Sequence, residues 1–197
     1  DLRKLFAATP KAKELGLKVN DFSYNTGSLR CPTCDGTGQI SMDIQFLPDV
    51  DIVCPDCSGR RYSDKANDVK IELRGAEYSI ADLMQTTISE AAGLFEKHKK
   101  IKEKLETLLN LGLSYLTLGE STPTLSGGEA QRLKLATELG KPQSDSVFVF
   151  DEPTIGLHPH DVGSLLKVFD RLIKDGATVI VIEHDLDMIK NADYVID

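Results

Sequence analysis

An α/β fold carrying a small cysteine-rich module is what this 197-residue sequence predicts. Three observations carry that expectation. Val147-Phe148-Val149-Phe150 is a continuous apolar run that ends in Asp151-Glu152, and Ala177 to Glu183 is a second run that ends at His184. A helical pattern near Asp161 to Lys174 separates them, so the two runs read as strands of a parallel sheet buried on both faces. The third observation is that all four cysteines fall in two similar units, Cys31-Pro32-Thr33-Cys34-Asp35-Gly36 and Cys54-Pro55-Asp56-Cys57-Ser58-Gly59. Hydrophobic content of 41% with 27% charged residues suits a folded globular chain. No apolar run approaches the roughly 20 residues needed to span a bilayer.

Nineteen residues lie between the two cysteine pairs, and no cysteine is left over. Four thiolates in two C-x-x-C knuckles suit tetrahedral Zn²⁺, and the glycines permit the turn that brings backbone N–H groups toward sulfur. Cys31, Cys34, Cys54 and Cys57 are therefore the expected ligands of a structural zinc. Disulfides are the competing reading, but no secretory-type apolar stretch supports an oxidising compartment. Two roles are open to the module. It is either a staple for a hairpin without a core of its own or a contact to nucleic acid through Arg30, Arg60 and Arg61. Cys31 to Gly38 also reads C-x-x-C-x-G-x-G, the repeat of DnaJ-type zinc domains, but the second unit ends differently, in Gly59-Arg60-Arg61. Between the knuckles, Phe46 to Val53 alternates poorly and includes Pro48, which predicts an irregular or edge strand.

The middle of the chain reads as helical. Val69 to Leu73 alternates as a short strand closed by Gly75. Ser79 and Ser89 each precede a short helical pattern, as N-caps do. From Lys97 to Gly112, Ile101, Leu105, Leu108 and Leu109 recur at helical spacing. The basic start Lys97-His98-Lys99-Lys100 is interleaved with Glu96, Glu103 and Glu106, which predicts a solvated face.

Leu125-Ser126-Gly127-Gly128-Glu129-Ala130-Gln131-Arg132 has the S-x-x-E spacing of a capping box and reads as a helix start. Its Gly-Gly pair would leave first-turn N–H groups open to an anion at the positive end of the helix. Together with the strand ending in Asp151-Glu152-Pro153, this segment resembles the signature and Walker B motifs of the ATP-binding-cassette (ABC) ATPases. The resemblance implies that Ser126, Gly127 and Gly128 meet the γ-phosphate of ATP held mainly by an opposing domain. It implies further that Asp151 holds Mg²⁺ through water and that Glu152 polarises the attacking water. His184, at the end of the second apolar run, matches the switch histidine that contacts the γ-phosphate. His158 and His160, flanking Pro159, are expected to be loop residues rather than a metal pair.

The zinc knuckles ahead of the signature, Phe46-Leu47-Pro48-Asp49-Val50, Leu125 to Arg132 and Gly156-Leu157-His158 together resemble the UvrA family of DNA-binding ABC ATPases. That resemblance covers nearly the whole chain. It implies the later part of the second nucleotide-binding domain of a cytoplasmic protein that recognises damaged duplex DNA in nucleotide-excision repair. Such a protein works as a dimer of the parent chain and engages UvrB through a region that is not in this sequence. On this reading residues 1–30 lead into the signature region, 31–62 form the zinc module, 63–142 a helical signature subdomain and 143–197 part of the ABC core. Ser28-Leu29, Glu120 and Asp185 depart from the common family pattern and leave open a UvrA-like paralogue, such as those of drug self-resistance. An ABC ATPase of another class is the remaining alternative.

No G-x-x-x-x-G-K-[ST] phosphate loop occurs in the sequence. With the start Asp1-Leu2-Arg3-Lys4, this suggests a piece of a longer polypeptide whose phosphate loop lies upstream, and the isolated piece is expected not to hydrolyse ATP. A net charge of −8 argues against nucleic-acid binding by bulk charge. Residues 1–30 carry six Lys/Arg against three Asp/Glu, while residues 146–197 carry four against ten, so DNA contact is expected from the earlier part.

Overall fold

The computed structural model describes residues 1–42, 50–139 and 145–196. The chain forms two compact units, Asp1–Glu103 with Leu116–Ser121, and Lys104–Tyr115 with Thr122–Asp197. No helix among the described residues is long and apolar enough to cross a membrane.

The first unit opens with α1 (Leu2–Ala7) and α2 (Pro10–Glu14). Between them the Thr9 hydroxyl accepts the Ala12 N–H, and Pro10 occupies a first-turn position that needs no donor. Phe6 packs on Phe22 with ring centroids 5.8 Å apart. β1 (Gln39–Met42) pairs antiparallel with β2 (Val50–Val53), Gln39 lying opposite Val53. β2 is the part of the expected edge strand that is described; Phe46-Leu47-Pro48-Asp49 lie outside the described residues. A bridge between Arg30 and Tyr62 closes the base of this hairpin, and the buried Tyr62 hydroxyl donates to the Phe22 carbonyl at 2.8 Å.

β3 (Lys70–Leu73) turns into β4 (Ala76–Ser79) through Arg74 and Gly75, both at left-handed φ (51° and 80°). That pair of dihedrals matches a hairpin turn whose twist suits the flanking strands. Ile71 and Leu73 point inward at period two. Ser79 then caps α3 (Ile80–Met84) in a full capping box with Asp82. The next helix, α4 (Ile88–Leu94), is capped by Thr87 with Glu90, not by Ser89. The T-x-x-E spacing starts two residues before the S-E pair and buries Ile88 and Ala91, which fixes the earlier start. Leu116–Ser121 returns alongside, with Ile88 N–H donating to Leu116 C=O and Leu118 N–H to Thr86 C=O. α5 (Lys99–Asn110) contains the boundary between the units.

The second unit continues through α6 (Gly127–Glu138), β5 (Val147–Asp151), α7 (Pro159–Lys174), β6 (Thr178–Ile182) and α8 (Leu186–Lys190). β5 and β6 pair in parallel, with Val149 opposite Ile180 and Asp151 opposite Ile182. Phe150 and Phe169 of α7 meet at 4.8 Å, and Leu165 and Leu172 are fully buried. The expectation of burial on both faces does not hold among the described residues. Val147, Val149, Ile180 and Ile182 are 49–61% exposed, because alternate side chains point away from α7 and nothing described covers that face. α7 begins at Pro159 rather than near Asp161, so His160 belongs to the helix and not to a loop. Proline suits that first position, and Asp161 N–H donates to His158 C=O at 2.8 Å.

The Ser79 hydroxyl accepts from Asp82 N–H at 3.1 Å in a fully buried setting. Ser79→Ala is expected to cost about 1 kcal/mol. Amide exchange of the first turn of α3 should quicken roughly fivefold.

Candidate functional site

The two knuckles bring four buried sulfur atoms together. Cys31, Cys34, Cys54 and Cys57 are 0–6% exposed, and their Sγ atoms all lie within 4.8 Å of one another. Across the knuckles, Cys31 to Cys54 is 3.9 Å and Cys34 to Cys57 is 3.7 Å. A disulfide would need about 2.05 Å. A tetrahedron of thiolates with metal–sulfur bonds of about 2.3 Å has edges of about 3.8 Å, so the spacing fits zinc. Each knuckle turns through left-handed residues after its second cysteine, Asp35-Gly36 and Ser58-Gly59. Gly36 is there for space as well, since a Cβ would stand 1.8 Å from the Tyr24 carbonyl oxygen. Gly38 N–H donates to Cys34 Sγ at 3.3 Å, and the Thr33 hydroxyl donates to the Asp56 carboxylate across the two knuckles. Apart from the cysteines, only Ile40 packs against this cluster among the described residues.

The three arginines beside the knuckles divide. Arg30 donates to Asn25 C=O at 3.0 Å and pairs with Asp35 at 3.2 Å; Arg60 donates to Cys57 C=O at 3.3 Å and lies 4.0 Å from Asp64. Both remain partly exposed at the surface. Arg61 is buried, and this corrects its expected place in a basic surface. Its Nε and Nη2 donate to Gly119 and Glu120 C=O, each at 2.8 Å, while its guanidinium lies 4.7 Å from the Tyr24 ring centroid. That side chain holds the Leu116–Ser121 strap onto the knuckle base.

In the second unit, parallel pairing sets the ends of β5 and β6 side by side. Glu152 N–H donates to Ile182 C=O at 2.9 Å, and His184 Nδ1 lies 3.5 Å from Glu152 Oε1. Asp151 is exposed at the strand end, and the His184 ring is largely open to solvent. Glu183, given no role from the sequence, organises this corner. Its carboxylate accepts from Thr154 N–H at 2.9 Å, from the Thr154 hydroxyl, from His184 N–H at 2.9 Å and from Asp185 N–H at 3.1 Å. Burial alone would raise its pKa, but these donors outweigh burial and hold it below the ordinary glutamate value. Asp185 caps α8, accepting from Asp187 and Met188 N–H, which asparagine at this position could also do.

Ser126 and Glu129 form the capping box of α6, with Glu129 N–H to Ser126 Oγ at 3.3 Å and Ser126 N–H to Glu129 at 2.6 Å. The Tyr115 hydroxyl also donates to Glu129, and these bonds lower the pKa of that carboxyl. A Cβ on Gly127 would meet open space. Gly128 is buried; a Cβ there would stand 3.0 Å from Arg132 Nη1 and 3.0 Å from Ile155 C=O. The helix N-terminus thus rests on the turn that follows the two acids. Gln131 and Arg132 fasten it there, through Asp151 and through Pro153 and Ile155. Neither drew a role from its sequence position; an arginine four residues after a glycine on the inward face of a helix was the available sign.

These features define part of an ABC-type nucleotide-binding domain with a cysteine-rich module set into it. No family model matches the chain. Over all of its length it is 48% identical to the UvrABC system protein A of Staphylococcus aureus (strain COL), of which it covers 20%. It is likewise 48% identical over its whole length to the UvrABC system protein A of Mycoplasmopsis pulmonis, of which it covers 21%. The crystal structure of UvrA2 from Deinococcus radiodurans matches 98% of this chain and 23% of that one, at a TM-score of 0.84 and 44% identity. The chain belongs to the UvrA family and spans about a fifth of the length of the relatives it matches.

One zinc per chain is the expected metal content of reduced, chelator-free protein. Cys54→Ser removes a ligand with no described replacement nearby, and the chelator-released zinc should fall to below about half an equivalent.

Proposed function

We propose that this chain is the zinc-carrying later part of the second nucleotide-binding domain of a UvrA-type ATPase that acts on damaged duplex DNA in excision repair. The observation that supports this most directly is the juxtaposition of Glu152 and His184 beside Asp151, on a turn fastened to the N-terminus of α6. In this reading Asp151 holds Mg²⁺ through water, and Ser126, Gly127 and Gly128 offer their end of α6 to a γ-phosphate bound by an opposing domain. Bound Mg²⁺-ATP supplies the phosphoryl group and the electrophilic phosphorus. Glu152 takes the proton of the attacking water, and His184 contacts the γ-phosphate. Cys31, Cys34, Cys54 and Cys57 hold the structural zinc. Residues 31–62 form the zinc module and residues 143–197 part of the ABC core, with 1–30 and 63–142 as lead-in and helical signature subdomain. The partners proposed are DNA, a second copy of the full-length protein, and UvrB through a region outside residues 1–197.

Arg30 and Arg60 are the arginines left at the surface beside the zinc module, each in an exposed ion pair of the kind that contributes little to stability. They are proposed to meet the phosphate backbone. Arg30→Ala with Arg60→Ala in the full-length protein should weaken DNA binding and reduce the slope of log K against log salt by up to about 2. An unchanged slope would leave the module as a staple.

The test of the ATPase reading is Glu152→Gln in the full-length protein with its other nucleotide site silenced. Nucleotide binding should persist while turnover falls by about 10² or more, the usual contribution of a general base. Residues 1–197 alone, which contain no phosphate loop, should show no turnover. ATP hydrolysis by that piece, abolished by Glu152→Gln, would overturn this division of labour.

A further inference from the structure

Arg132 is the largest fully buried side chain among the described residues, at 1% exposure. Its Nη1 donates to Pro153 C=O at 2.8 Å and to Ile155 C=O at 3.1 Å. Its Nε and Nη2 are buried without a hydrogen-bond partner among the described residues. Burial lowers the pKa of the guanidinium, while Tyr115 opposes that by charge and by a side-chain hydrogen bond, and Glu129 and Asp161 oppose it by charge. A buried cation with two nitrogens unsatisfied recovers only part of its desolvation cost, so its burial is explained by what its one bonded nitrogen holds.

The geometry shows what the cation holds. Gln131 Nε2 donates to Asp151 C=O at 2.9 Å, and Asp151 N–H donates to Gln131 Oε1 at 3.3 Å. Consecutive residues of α6 therefore grip the chain on both sides of Glu152, Gln131 before it and Arg132 after it. Glu152 itself has φ of 46°, a left-handed backbone that glutamate adopts only when its surroundings impose it. Its carboxylate then stands 3.5 Å from His184. Gly128 leaves room for this grip, since a Cβ there would press on both Arg132 Nη1 and Ile155 C=O.

We propose that Arg132 is a positioning residue: its guanidinium transmits the placement of the α6 N-terminus to the left-handed backbone that aims Glu152. The role given to Glu152 rests on the ATPase reading above; the mechanical coupling does not. An anion arriving at Gly127 and Gly128 would shift α6, and Arg132 would carry that shift through Nη1 to the Pro153 and Ile155 carbonyls. The end of the helix that meets one phosphate is in this way tied to the acids that serve another.

The experiment uses the full-length protein with its other nucleotide site silenced, carrying Arg132→Met or Arg132→Lys. Methionine removes the charge and both carbonyl bonds and fills part of the space; lysine keeps a charged nitrogen that can donate to both carbonyls but loses the guanidinium plane that fixes its direction. Melting temperature, ATP KM and kcat, and amide exchange of residues 151–156 are measured together. For Arg132→Met kcat should fall by about tenfold or more while KM changes by less than about twofold, with Arg132→Lys lying between Met and wild type. Exchange in 151–156 should quicken by about tenfold, while Arg132→Met, which leaves two carbonyls unpaired, should lower the melting temperature by no more than about 5 °C. A Met variant with kcat and exchange within about twofold of wild type overturns the proposal. So does a melting temperature lowered by roughly 10 °C, which would make Arg132 a structural brace. If the wild-type protein shows no turnover at this site, the ATPase reading fails. The exchange comparison still decides on Arg132, because faster exchange confined to 151–156 with a melting temperature lowered by no more than about 5 °C supports the coupling and unchanged exchange overturns it.

Discussion

Parallel pairing of β5 with β6 is the constraint on which the candidate nucleotide site depends. The register sets Asp151 against Ile182, so the next residue of each strand leaves the sheet at the same height. Glu152 N–H then donates to Ile182 C=O, and His184 comes within reach of the Glu152 carboxylate. Slipping the register by one residue would turn Phe150 away from α7 and carry the acids out of line with the histidine. Packing and site geometry are therefore set by the same ten residues.

Much of this was legible in local spacing. C-x-x-C pairs, S-x-x-E boxes and apolar runs ending in carboxylates report interactions that close within a few residues, and their structures follow. What was not legible depends on where a long charged side chain is sent by residues far away in sequence. Arg61 and Arg60 are neighbours with the same chemistry, yet Arg61 has a left-handed backbone and turns in to carbonyls 58 and 59 positions away. Arg132 and Glu183 were hidden for the same reason, since each acts on a segment more than twenty residues distant. Local competition explains the remaining shift, where Thr87 prevailed over Ser89 because its box buries Ile88.

The two units differ in how they use apolar surface. In the first, Phe6, Phe22, Val69, Ile80, Leu83 and Phe95 are sealed, while the knuckle hairpin has little besides its cysteines and Ile40. In the second, α7 is well buried against one side of the sheet, but four β-branched residues of β5 and β6 face outward. Such a contiguous apolar face favours burial against another surface.

The contact between Arg61 and the Leu116–Ser121 strap gives the cysteine cluster a reach beyond its own hairpin. Cys31 N–H donates to Arg61 C=O, so the backbone that places this arginine is part of the knuckle base. A ligand that binds only the folded knuckles adds its binding free energy to that fold. Through Arg61 the same free energy bears on a strap that contains no cysteine and lies nearly sixty residues downstream. The strap in turn accepts the first N–H of α4 at Leu116. Order in this strap would thus follow the binding of a metal ion at the four cysteines, by linkage rather than by contact.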